Sequence, residues 1–166
     1  MNYLGIEKGK LEKTVNSLNS LLANYNVYYQ NLRGCHWNIR GKNFFQLHEV
    51  FENLYNDARV KIDDIAERVL SLKAVPWSTM SKYLDKIELE ETKSPEKMSD
   101  WEMVGKILED HKVLIQNCRD VIENADKAGD EGTIDMIGGF LGSLEKDSWM
   151  LDSWHTRIKE EKMASV

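Results

Sequence analysis

Cysteine and proline are scarce in this chain, two of each: Cys35, Cys118, Pro76 and Pro95. The cysteines match no paired zinc or redox motif and read as small buried hydrophobes. With so little proline, long stretches run without a helix breaker. No apolar stretch approaches the roughly 20 residues needed to span a membrane. The amino terminus, MNYLGIEKGKLEK, lacks an apolar signal core, so the chain is expected in the cytosol. No strand is apparent, hence no Gly-rich phosphate loop following one, and no Ser or Cys nucleophile stands in a recognisable motif. A net charge of −6 argues against a broadly nucleic-acid-binding surface and leaves only a local basic arm for that role. At 166 residues and 42% hydrophobic, the chain is most simply one domain, 1–166, with a substantial core.

What is present is helical periodicity. Leu11, Val15, Leu18, Leu22, Tyr25, Tyr29 and Leu32 step by threes and fours, and His36 is the next member of that series. Gly41-Lys42-Asn43 interrupts the pattern as a turn. A second helix, about 44–72, carries Leu47, Phe51, Leu54, Ala58, Ile65, Val69 and Leu72 inward. Residues 73–97 form a long connection holding both prolines and a short helix near Ser78 to Leu84. A third long helix carries Trp101, Val104, Leu108, His111, Ile115, Cys118, Ile122 and Ala125. A fourth carries Ile137, Leu141, Leu144, Leu151 and Ile158. Gly129 reads as a C-cap and Asp130 as the following N-cap. Gly138, Gly139 and Gly142 each cost on the order of 1 kcal/mol inside a helix, a cost that suggests close backbone packing. Two short links and one long crossover between helices two and three predict an all-α, ferritin-like four-helix bundle.

On these helices His36, His48, Glu52, Asp63 and Glu67 have metal-ligand spacing. His48 and Glu52 are one turn apart, as are Asp63 and Glu67, so each pair projects from one face. His48 and Asp63 are nevertheless 15 residues apart, roughly 22 Å along one helix axis. No single ion spans that distance. Two antiparallel copies of the helix crossing near Asp57 and Ala58 would bring the first pair of one chain to the second pair of its mate. Two identical sites would result, each built from both subunits. Taken alone, His36 reads as a core histidine and the two acids as solvated surface groups; the joint arrangement favours a metal site. Imidazole plus carboxylate suits iron, manganese or zinc. The chain contains no Glu-x-x-His, so the usual intrachain di-iron bundle site is not expected. His111 reads as a core or interface histidine, and His155 as a favourable group at the end of a helix dipole. Trp37 and Trp149 read as core aromatics, with Trp37 beside a proposed ligand.

The segments HWNIRGKNFFQLHEVFENLY, IDDIAERVLSL, PWSTMSKYL, AGDEGTIDMI and EKDSWML resemble the Dps family, mini-ferritins named for DNA-binding protein from starved cells. The resemblance covers essentially the whole length and includes the 12 residues from His36 to His48. It implies a hollow dodecamer built from two-fold dimers that oxidises iron(II), preferably with hydrogen peroxide, and stores the ferric product. It also implies that His36, His48 and Glu52 come from one subunit and Asp63 and Glu67 from its mate, with Trp37 as a candidate redox aromatic. Many members carry aspartate where this chain has Glu52. In the family, acids at the positions of Glu131 and Asp135 line a three-fold pore for iron entry. Asp130 itself reads as a cap.

Two other function classes remain in view: an architectural protein that compacts nucleoid DNA, and a helical oligomer with structural zinc. Members that bind DNA directly often use a lysine-rich terminal arm. Here only Lys8 and Lys10 precede the first helical stripe, with Glu7 nearby, and the carboxyl end balances Arg157, Lys159 and Lys162 with Glu160 and Glu161. DNA is therefore expected to be a weak partner.

Overall fold

The computed structural model describes residues 3–164, apart from the side chains of residues 8, 159–162 and 164. Lys8, Lys159, Glu160, Glu161 and Lys162, which entered the reading of terminal charge, thus have side chains outside the described residues. Four long helices make the bundle: α1 (Glu12–Asn38), α2 (Phe44–Ser71), α4 (Asp100–Ala128) and α5 (Glu131–Ala164). A short α3 (Met80–Lys86) rides on the crossover. It begins two residues later than expected because the Thr79 side chain caps it by accepting from the Lys82 amide.

The α2 stripe is as read: Leu47, Phe51, Leu54, Ala58, Ile65, Val69 and Leu72 are all buried. On α4 the buried face is turned from the one expected. Met103, Ile107, Leu114 and Val121 join Val104, His111, Cys118 and Ala125 inside, while Trp101, Leu108, Ile115 and Ile122 are half-buried. Both offsets are apolar, so periodicity alone could not choose between them. A capping box starts α4, with the Ser99 side chain accepting from the Glu102 amide and Glu102 reaching back to the Ser99 amide. Gly129 ends it at φ 69, the left-handed conformation a helix C-cap requires. Asp130 then caps α5, accepting from the Thr133 amide at 3.2 Å.

Three asparagines on α1 tie the crossover to the bundle. Asn19 bonds Val75 and Trp77, Asn24 accepts from the amides of Glu88 and Leu89, and Asn31 bonds Glu90 and Thr92. Asn24 also donates to Asn117 at 2.8 Å, and Asn31 to Asp110 at 2.8 Å. A 25-residue-scale connection would otherwise present buried, unpaired backbone groups. These side chains satisfy them.

Two further expectations fail. Gly138, Gly139 and Gly142 have no atom within 4 Å of where a Cβ would stand, so close packing within the chain does not explain them. The glycines that do meet a close neighbour are Gly132, where a Cβ would lie 3.0 Å from Arg68 Nη2, and Gly105, where it would lie 3.1 Å from His155 Nε2. Trp37 and Trp149 are not core residues: they are 59% and 67% exposed. Their positions on α1 and α5 face away from the four-helix interior.

Candidate metal centre

His36 ends the inward stripe of α1, and His48 stands one turn into α2, across the Gly41 turn, where φ is 99. The two imidazoles lock the corner reciprocally. His36 Nδ1 lies 2.8 Å from the His48 carbonyl oxygen, and His48 Nδ1 lies 3.0 Å from that of His36. A carbonyl only accepts, so each Nδ1 donates, and each Nε2 is the ring nitrogen left to face a ligand. The second bond also satisfies one of the end carbonyls that α1 leaves without an intrahelical partner. The rings stack at 3.8 Å between centroids, Phe44 stacks on His48 at 4.9 Å, and Tyr55 sets its edge against His36 at 5.2 Å.

Glu52 completes the group. Ligand-capable atoms of His36, His48 and Glu52 all lie within 4.8 Å of one another. Two imidazole nitrogens and a carboxylate are a donor set for a borderline-hard divalent ion, and three protein donors leave coordination positions open. Among the described residues no other three histidine, cysteine or acidic groups gather in this way. Asp63 and Glu67 are not part of the group; both are exposed on α2, roughly 22 and 28 Å of helix axis beyond His48.

Tyr55 is a neighbour that periodicity did not single out, although it is seven residues from His48 on the same face. Burial, the charge of Glu52 and a hydrogen bond to it push its phenol pKa up. Tyr55 is 6.0 Å from Tyr29, and the Arg33 guanidinium lies over both the Tyr29 and Trp37 rings, at 5.1 and 4.6 Å. Arg33 thus holds Trp37 on the outer face of α1, one residue beyond His36.

Glu131 and Asp135 are exposed one turn apart at the start of α5. Asp130 is buried and bound by Arg68 and Thr133, which fits capping. His111 is a buried core histidine. His155 does more than complement a dipole: it stacks on Trp101 at 4.3 Å, and the Trp101 indole donates to its carbonyl at 3.2 Å. Cys35 and Cys118 are buried free thiols whose pKa burial pushes up to about 12, so both are inert at neutral pH. No helix among the described residues is long and apolar enough to cross a membrane.

Residues 15–160 match the model of the ferritin-like domain. The chain is 39% identical over 157 residues to the DNA protection during starvation protein of Porphyromonas gingivalis, covering 95% of this chain and 98% of that one. It is 36% identical over 143 residues to general stress protein 20U of Bacillus subtilis, covering 86% and 97%. The crystal structure of Dps from Vibrio cholerae O1, described as a member of a superfamily of ferritin-like diiron-carboxylate proteins, superimposes with a TM-score of 0.88. That comparison has 39% identity and covers 93% of this chain and 96% of that one. The chain belongs to the Dps family of ferritin-like proteins.

Proposed function

We propose that this protein is a mini-ferritin of the cytosol that oxidises iron(II), preferably with hydrogen peroxide, and stores the ferric product in a hollow homododecamer. The whole chain, 1–166, serves as one ferritin-like domain. The observation that carries the reading is the half-site: His36, His48 and Glu52 gathered with both Nε2 atoms left to face a ligand, and Asp63 and Glu67 exposed on the same helix. A two-fold mate brings its acids to this chain's histidines, so each site takes iron between subunits, with zinc or manganese as possible substitutes. The carboxylates favour iron(III) over iron(II), and the imidazoles, fixed by their Nδ1 bonds, set the geometry.

Two iron(II) ions each surrender one electron. One peroxide takes both, its O–O bond breaks, and two water molecules form with two protons from solvent. Pairing the electrons in this way avoids hydroxyl radical, which supports a role in protection against oxidative stress. Glu131 and Asp135, three copies of each around a three-fold axis, make a negative funnel for entering iron. Trp37, exposed beside the site, is the redox aromatic of the reading. Twelve chains at −6 each repel phosphate, so DNA is a weak partner and nucleoid compaction a lesser reading.

The test is complementation after an anaerobic iron(II) titration and peroxide addition. His36→Ala and Asp63→Ala should each abolish rapid oxidation. Random pairing of the two variants should return roughly a quarter of the sites, because one site of each mixed dimer stays intact. No recovery after demonstrated subunit exchange would refute the shared site.

A further inference from the structure

Tyr28 and His111 meet in the centre of the bundle, away from the metal centre. Both are buried, and the Tyr28 hydroxyl lies 2.7 Å from His111 Nε2. The direction of this bond is fixed by its neighbours. Ser148 Oγ donates its only proton to the Leu144 carbonyl at 2.7 Å, so it must accept from His111 Nδ1 at 2.8 Å. His111 therefore carries its proton on Nδ1, and Nε2 accepts from the Tyr28 phenol. Burial pushes the phenol well above its ordinary range and holds His111 neutral at neutral pH. The proton of Tyr28 is thus aimed at a base but stays on the phenol in the resting protein.

Such a phenol is prepared to lose an electron and a proton together. Oxidation makes the phenolic proton strongly acidic, and a base already in line receives it without rearrangement. Tyr25, 6.0 Å from Tyr28, lacks this provision: its buried hydroxyl has no hydrogen-bond partner. Two edge-on ring contacts lead from the metal centre back to α1, His36 to Tyr55 at 5.2 Å and Tyr55 to Tyr29 at 6.0 Å, and Tyr28 precedes Tyr29 along the α1 backbone. The direct separation is eight residues of α1, about 12 Å of helix axis.

We infer that Tyr28, with His111 as its proton acceptor, is a one-electron donor to the oxidation site when peroxide meets a single iron(II). The inference rests on the ferroxidase reading above. Iron(II) gives one electron and becomes iron(III). Tyr28 gives the second, its O–H bond breaks, and the proton passes to His111 Nε2, leaving a neutral tyrosyl radical and an imidazolium. The peroxide O–O bond takes both electrons and, with two solvent protons, yields two water molecules. A later iron(II) returns the electron to the radical, the proton goes back from His111, and the resting pair is restored. Without the donor, one-electron cleavage releases hydroxyl radical into the protein.

The experiment is freeze-quench electron paramagnetic resonance on the assembled protein, loaded anaerobically with one iron(II) per site and then mixed with hydrogen peroxide. Wild type should give a tyrosyl signal, and Tyr28→Phe should lose it while trapped hydroxyl radical increases. Ser148→Ala keeps the tyrosine but frees the imidazole to adopt the other tautomer, so its signal should shrink. Tyr83→Phe, on α3, should keep the wild-type signal. Circular dichroism and size establish that each variant is folded. An undiminished signal in Tyr28→Phe overturns the inference. Wild type that oxidises iron without a tyrosyl signal also overturns it and leaves the ferroxidase reading standing. Wild type that oxidises no iron overturns both.

Discussion

The buried His111 makes the fold acid-sensitive by an amount the structure specifies. Burial lowers its pKa from 6.5 to about 4, with the charge of Lys61 adding to the effect. The unfolded chain therefore takes up a proton on this residue below about pH 6.5, while the native protein refuses it until about pH 4. Between those values the unfolded state binds more protons, so stability falls as pH falls. The contribution is fully present above pH 6.5 and lost on descending to about 4. Linkage gives about 2 kcal/mol lost by pH 5 and about 3 kcal/mol in full. Asp110 and Asp147, whose pKa values burial raises, act in the opposite direction, so the comparison requires a variant that differs only at the histidine. His111→Gln serves: its carbonyl accepts from Tyr28, its amide donates to Ser148, and it does not titrate. Urea unfolding of both proteins at fixed concentration, at pH 7.5 and pH 5, reads the difference. Wild type should lose about 2 kcal/mol more than the variant, or about 4–8 °C in Tm. Equal losses in the two proteins would refute the reasoning.

Replacing both Glu131 and Asp135, as Glu131→Gln with Asp135→Asn, should slow iron uptake while leaving the assembly intact by size; uptake unchanged across iron concentrations would remove these acids from the entry path. Asn24→Ala deletes bonds to Asn117, Glu88 and Leu89 and should cost about 3 kcal/mol, with faster protease cutting in the crossover. A plasmid should not be retarded in a gel at physiological salt without divalent metal. A salt-resistant complex there would promote the nucleoid reading.

The long helices were legible because their stripes repeat over many turns, and because Ser99, Gly129 and Asp130 sit where caps belong. The details that escaped share a physical cause. Asn19, Asn24 and Asn31 look like ordinary polar positions on a helix, and only the return of the crossover gives them partners. Lys61, buried between Asp57 and Ser143, is hidden from pattern reading for the same reason: its neighbours are 4 and 82 residues away. The rotation of the α4 stripe was ambiguous because two adjacent offsets were both apolar. The exposure of Trp37 and Trp149 was misread because a large aromatic at helical spacing resembles a core residue.

The metal centre divides along the same line. His36, His48 and Glu52 could be paired from sequence because each imidazole is fixed locally, one helix end against the next helix start. Their Nδ1 bonds use backbone carbonyls of each other's residue, so the α1–α2 corner itself orients both imidazoles. Asp63 and Glu67 have no such local anchor and stay at the surface. A half-site of two imidazoles and one carboxylate holds an ion loosely. Adding two carboxylates from a mate would supply the negative charge that favours the oxidised metal. Under the proposed two-chain site, oxidation would be linked to assembly: one chain offers three donors, and a mate would complete the set. Such a linkage would keep iron chemistry off the unassembled chain.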